Sequence, residues 1–292
     1  MTYCVAARLD SGLVFLSDSR TNAGVDQISV FRKMTVFERP GERVMVMMTS
    51  GNLAVSQAVL HALARQHEEG GDTIWTATDM FEATRCVGAA VREVYQREAP
   101  ALHEQGVDFN VSIIFGGQIG AERCRLFQVY AAGNFIEAGQ ECPYFQIGEA
   151  KYGKPILDRI VTPATSLDEA AKCALISMDS TLRSNISVGL PLDLLIYESD
   201  TLAVTRFVTI DEGNQYFHMI RQTWGKQLKA VFESINDPVW NAAPDAHNDV
   251  LSSVASKNQP VRIAPPPALG IYATSPAPLQ AFAQDEANGK QY

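Results

Sequence analysis

Three residues near the start of the chain have types and spacings suited to acyl-transfer chemistry. They are Thr2 directly behind Met1, Asp18 in Ser17-Asp18-Ser19-Arg20, and Lys33 in Phe31-Arg32-Lys33. Methionine aminopeptidase trims an initiator methionine whose neighbour is small, so Thr2 is expected to become a free N-terminal residue with both a hydroxyl nucleophile and an α-amine. The reference pKa of that amine is about 7.7 to 8, so near neutrality its uncharged fraction can accept the hydroxyl proton. A nearby ammonium would lower the pKa of both groups, and a carboxylate would hold that ammonium in place. Lys33 and Asp18 are the candidates. Singly each is unremarkable, since a loop Asp commonly bonds local backbone and a loop Lys is commonly solvated; the joint spacing in a suitable framework carries the argument.

The framework begins with a hairpin: Thr2 to Leu9 and Leu13 to Ser17 carry strand character around the turn Asp10-Ser11-Gly12. Asp18 then falls at the end of the second strand, where the hairpin can return it to the start of the first. After a polar loop, Met34 to Glu38 and Val44 to Met48 form a second hairpin around Arg39-Pro40-Gly41-Glu42. Asn52 is a suitable N-cap for a helix over 53–69. A second helix is marked by Met80, Ala83, Val87, Val91 and Val94, with Pro100 expected just past its end. Strands are expected over 110–115, with Gly116-Gly117 as a turn, and over 126–132, 135–138 and 145–148. A helix follows through Leu167, Ala171, Leu175, Met178 and Leu182, then strands over 192–197 and 203–210, then a long helix striped by Phe217, Ile220, Trp224, Leu228, Val231 and Ile235. Runs of strands separated by helices disfavour a doubly wound parallel sheet. They favour an α+β fold, a four-layer αββα sandwich of two antiparallel sheets between helical layers. The folded domain is expected over 1–236, and the Pro-rich composition of 237–292 reads as an extended or disordered tail.

Composition narrows the function classes. Hydrophobic residues make up 46% of 292, enough for a substantial core, and the formal net charge is −9. No basic cluster tracks a phosphate backbone, and no apolar run approaches a membrane span, so neither nucleic acid nor membrane is an expected partner. With no secretory leader pattern the expected location is cytoplasmic. Five cysteines without a C-x-x-C pair suit buried free thiols. His61 and His67 are badly spaced for a shared ligand, and the chain lacks H-E-x-x-H, a P-loop and G-x-S-x-G. No metal or cofactor is expected. Met45, Met47 and Met48 read as strand core.

With Thr2, Ser17-Asp18-Ser19-Arg20, Lys33 and Ser50-Gly51 at the start of the first helix, the chain resembles the proteasome β-subunit family of N-terminal-nucleophile hydrolases. It is most similar to the bacterial Anbu, or ancestral β-subunit, type, from Thr2 to about Ile235. The resemblance implies a threonine-type peptidase acting on peptides or unfolded protein, assembled as a ring-like or helical homo-oligomer. It assigns Thr2 as nucleophile and base, Lys33 as its electrostatic tuner, Asp18 as the group orienting Lys33, the Gly51 N–H as oxyanion-hole donor and Ser187 as a supporting hydroxyl. Two departures stand out. Gly148-Glu149-Ala150 replaces the family's Gly-Ser-Gly, and Ser184-Asn185-Ile186-Ser187-Val188-Gly189 lacks the expected Asp. They keep two other readings open, an assembly subunit with little or no turnover and an amidase for small amides.

Overall fold

The computed structural model describes residues 2–22, 28–68 and 72–238. The strand β1 (Tyr3–Leu9) is buried along its whole length, as is β2 (Gly12–Asp18) beside it. Both belong to a five-stranded antiparallel sheet in the order β10-β1-β2-β11-β12, completed by β10 (Tyr144–Gly148), β11 (Leu192–Glu198) and β12 (Arg206–Ile210). A second sheet runs β5-β6-β7-β8-β9, from β5 (Met34–Arg39), β6 (Arg43–Gly51), β7 (Val111–Ile119), β8 (Arg125–Val129) and β9 (Phe135–Glu137).

Three buried clusters stack these elements into four layers. Cys4, Ala6, Leu13 and Phe15 meet Val44, Val46, Met48 and Ile114 between the sheets. On the opposite face of the first sheet, Val5, Val14 and Leu16 pack with the helix α4 (Leu167–Ser184). Met45 and Met47 face α1 (Leu53–Glu68) and α2 (Met80–Glu104). Interior strands of such a sandwich are covered on both faces, so they read as continuous apolar runs and not as strict alternations. The N-terminus of α4 is fixed by a capping box in which Ser166 and Glu169 exchange side-chain and backbone bonds.

The backbone departs from the sequence reading in four places. The loop before Lys33 contains a short ladder of β3 (Arg20–Asn22) and β4 (Ile28–Val30). Gly116 and Gly117 do not turn the chain but continue β7; a Cβ on Gly117 would lie 2.0 Å from the Val44 carbonyl oxygen, so glycine there admits a close neighbour. Pro100 lies inside α2. Its ring removes one helical donor, yet the helix continues for another turn because Ala99 is buried and Leu102 packs against the same core. The stretch after Gly148 holds an extra helix, α3 (Lys154–Ile160), with Pro155 in its first turn.

The last helix, α5 (Gln215–Ser234), buries Phe217 and Ile220. Leu228, Val231 and Phe232, on its later turns, are exposed. The compact unit carrying the site ends at Ser234. The Pro-rich tail lies outside the described residues from 239 onward. Of the cysteines, Cys4, Cys124 and Cys173 are buried, Cys86 is intermediate and Cys142, against expectation, is exposed; all are free.

Gly117→Ala should lower the unfolding free energy by roughly 1–3 kcal/mol through overpacking against β6. Gly139→Ala, which meets nothing within 4 Å, should change it by less than about 0.5 kcal/mol. Urea unfolding of the two variants side by side measures the difference.

Candidate active site

Antiparallel pairing of β1 with β2 sets Cys4 opposite Ser17, which returns Asp18 to the start of the chain. The Tyr3 backbone N–H donates to Asp18 Oδ1 at 3.0 Å. The same oxygen accepts from Lys33 Nζ at 2.6 Å, and the Gly189 N–H donates to Oδ2 at 3.3 Å. Lys33 Nζ also donates to the Arg20 carbonyl at 2.7 Å. Both charged groups are withdrawn from water, with 7% of the Lys33 side chain and none of the Asp18 side chain exposed. Burial pushes the Asp18 carboxyl above its ordinary range, opposed by the charge and hydrogen bond of Lys33 and by the two backbone donors.

Thr2 is held from its other side by the end of β10. Tyr3 pairs with Gly148, and the Glu149 N–H donates to the Thr2 carbonyl at 2.8 Å. Gly148 has φ +81°, and a Cβ on it would meet the Thr2 oxygen at 1.9 Å, so no larger residue allows this approach. Behind the strand, Tyr3 Oη lies 2.5 Å from Ser177 Oγ on α4 and accepts from Gln146 Nε2 at 2.6 Å. Gln146 also donates to the Ala150 carbonyl at 3.2 Å.

Gly51 ends β6 and does not yet belong to the helix. Its φ is +107°, and a Cβ would sit 2.4 Å from the Asn110 carbonyl oxygen. Asn52 follows as the cap of α1, its Oδ1 accepting from the Ala54 N–H at 3.0 Å. Lys33 is tied to this strand as well, since its carbonyl accepts from the Thr49 N–H at 3.1 Å.

Thr2, Lys33, Gly51 and Glu149 line one cavity of about 680 Å³, whose remaining walls are mostly Ser, Thr and Asn. Asp18 lies beneath it, reached through Lys33. Ser187 does not line it. It sits between α4 and β11, where its N–H donates to Asn185 Oδ1 at 2.9 Å, and the part of that loop that reaches the site is the Gly189 N–H. Sequence reasoning passed over Gly189, the Arg20 carbonyl and the Tyr3–Ser177–Gln146 set. Of these only Tyr3 carried a signal, because a tyrosine in a doubly buried strand must find partners for its hydroxyl. Among the described residues no group of three or more His, Cys, Asp or Glu could hold a metal ion.

Two antiparallel sheets between helical layers, with Thr2 at the head of the first strand lining this cavity, define a proteasome-like sandwich of the N-terminal-nucleophile hydrolase type. The fold superposes on Anbu (ancestral beta-subunit) from Yersinia bercovieri with a TM-score of 0.76 and 51% identity, covering 81% of this chain and 99% of the other. Anbu from Hyphomicrobium sp. strain MC1 gives 0.74 and 49% over 81% and 99%. The subunit from the helical assembly of the Anbu complex from Pseudomonas aeruginosa gives 0.78 and 44% over 85% and 100%. No protein-family model and no curated protein matches the sequence. At these identities and coverages the chain belongs to the Anbu family.

Removing one member of the buried ion pair leaves the other uncompensated, so Lys33→Ala should cost roughly 3–5 kcal/mol of stability near neutral pH. Without Lys33, the Asp18 carboxyl takes up a proton on folding, its folded pKa lying above its unfolded value. The deficit should therefore be smallest in acid and should grow as pH rises above the ordinary value of 3.8. Urea unfolding between about pH 4 and pH 8 reads that slope; a deficit independent of pH would contradict it.

Proposed function

We propose that the protein is a threonine-type peptidase acting through Thr2. The observation that carries this reading is the buried Lys33, fixed by Asp18 and the Arg20 carbonyl, lining the same cavity as Thr2. With Met1 removed, Thr2 Oγ1 attacks the amide carbonyl and its proton passes to the α-amine. Lys33 stabilises the developing alkoxide, Asp18 orients Lys33, and the Gly51 N–H supports the tetrahedral oxyanion. Collapse breaks the C–N bond, the departing amine takes the proton, and water then hydrolyses the ester on Thr2. Peptides and unfolded segments are the substrates, and the setting is cytosolic.

A second reading, a subunit with weak turnover, draws on one observation. Glu149 brings a carboxylate into the cavity beside Thr2, which disfavours a nearby alkoxide. Both readings include self-association. The apolar residues of α5 exposed at Leu228, Val231 and Phe232 form a surface for contact with another copy, consistent with the helical assembly of the Pseudomonas aeruginosa relative.

An electrophile selective for N-terminal threonine should form a single adduct that maps to Thr2 by mass spectrometry. The adduct should be absent from Thr2→Ala and from protein retaining Met1. Met1-free protein that forms no Thr2 adduct would sink the peptidase reading. For assembly, Leu228→Asp together with Phe232→Asp should reduce the mass seen in analytical ultracentrifugation without changing the circular dichroism of the fold; an unchanged mass would remove α5 from the interface.

A further inference from the structure

The cavity holds one carboxylate that the proposed chemistry does not use. Glu149 is fixed at the level of its backbone, where its N–H bonds the Thr2 carbonyl at 2.8 Å, a close approach that the preceding Gly148 permits. Its side chain is 14% exposed, and its one ion-pair partner among the described residues is Lys151 at 3.6 Å, itself 71% exposed. A contact of that length to a solvated lysine is weak and is readily exchanged for a better one. Of the other charges at the cavity, Lys33 is paired with a carboxylate, while Arg20 bonds a carbonyl and keeps its positive charge. Lys33 is held by Asp18 and the Arg20 carbonyl, and Arg20 donates from Nη1 to the Ile186 carbonyl at 3.0 Å. The walls formed by Thr49, Ser50, Ser56, Asn110 and Ser112 are polar and neutral, with Leu53 the apolar exception. An ammonium or guanidinium placed beside Glu149 meets a partly desolvated carboxylate, and hydroxyl and amide groups that replace part of its lost hydration.

We infer that Glu149 selects substrates bearing a cationic side chain, lysine or arginine, next to the amide presented to Thr2. The inference rests on the peptidase reading for its chemistry, but recognition of the cation does not need turnover. Glu149 is thus a specificity-determining residue. A different role for the same carboxylate, pairing with the α-ammonium of Thr2 itself, predicts no preference among substrates.

Two measurements on the full, Met1-free protein separate these outcomes. The first is binding, by fluorescence anisotropy, of two labelled decapeptides identical except that lysine in one is norleucine in the other. The lysine peptide should bind about tenfold more tightly at low salt, and the preference should shrink as ionic strength rises. It should fall to within about twofold in Glu149→Gln and increase in Lys151→Ala, which frees the carboxylate from its weak partner. Equal binding of the two peptides, or a preference that survives Glu149→Gln, overturns the inference. The second is the rate of Thr2 labelling by peptide electrophiles with the same lysine or norleucine substitution. The lysine probe should react faster in the wild type and lose that advantage in Glu149→Gln. A fall in Glu149→Gln that is equal for both probes places the carboxylate on the Thr2 amine and overturns the inference. Failure of both probes to label Thr2 overturns the peptidase reading alone, because the binding arm decides the role of Glu149 independently.

Discussion

The contact between Lys33 Nζ and Asp18 Oδ1 is the interaction on which the site depends. A bare ammonium or a bare carboxylate at this depth costs several kcal/mol, a large share of a domain's stability, so the two charges are kept as a pair. The pair draws in the structure around it. Asp18 is completed by N–H groups from Tyr3 and Gly189, and Lys33 by the Arg20 carbonyl, so the end of β2, the start of β1, the turn into β3 and the loop before β11 converge on two side chains. A buried charge that is fully bonded has one geometry, and the strands that supply the bonds inherit that definition.

The rest of the sandwich holds this point still. Strands buried on both faces cannot slip by one residue without exchanging the inter-sheet core for the helix-facing core, so the register that puts Asp18 beside Tyr3 is fixed by packing far from the cavity. Glycine serves the same end. Gly51, Gly117 and Gly148 each stand where another chain segment approaches too closely for a side chain, and two of them border the cavity. The Tyr3 hydroxyl, shared between Ser177 and Gln146, pins the first strand to α4 and to the segment carrying Glu149.

Much of this was legible in the sequence because it is local. The first hairpin, the capping of α1 by Asn52 and the amphipathic spacing of α2 and α4 follow from turn chemistry and periodicity. So does the position of Asp18, since a hairpin of that length returns its end to its beginning. What could not be read depends on contacts distant in the chain. Gly116-Gly117 looks like a turn until Val44 is known to lie against it, and Pro100 looks like a terminator until the packing around Ala99 and Leu102 is visible. Ser187 looked like a site residue by its place in a motif. The loop instead contributes a main-chain donor, Gly189, which leaves no signature in residue type.

The bond from the Glu149 N–H to the Thr2 carbonyl has a consequence for timing. It closes, together with the pairing of Tyr3 and Gly148, only when the chain has been synthesised beyond residue 149. From then on Thr2 sits directly ahead of a paired strand, with its carbonyl occupied. An aminopeptidase that grips an extended N-terminus competes with that pairing, so Met1 is most easily removed while the nascent chain is still short. For the nucleophile proposed at Thr2, maturation thereby becomes a race between an enzyme at the ribosome and the strand that comes to cover the first residues.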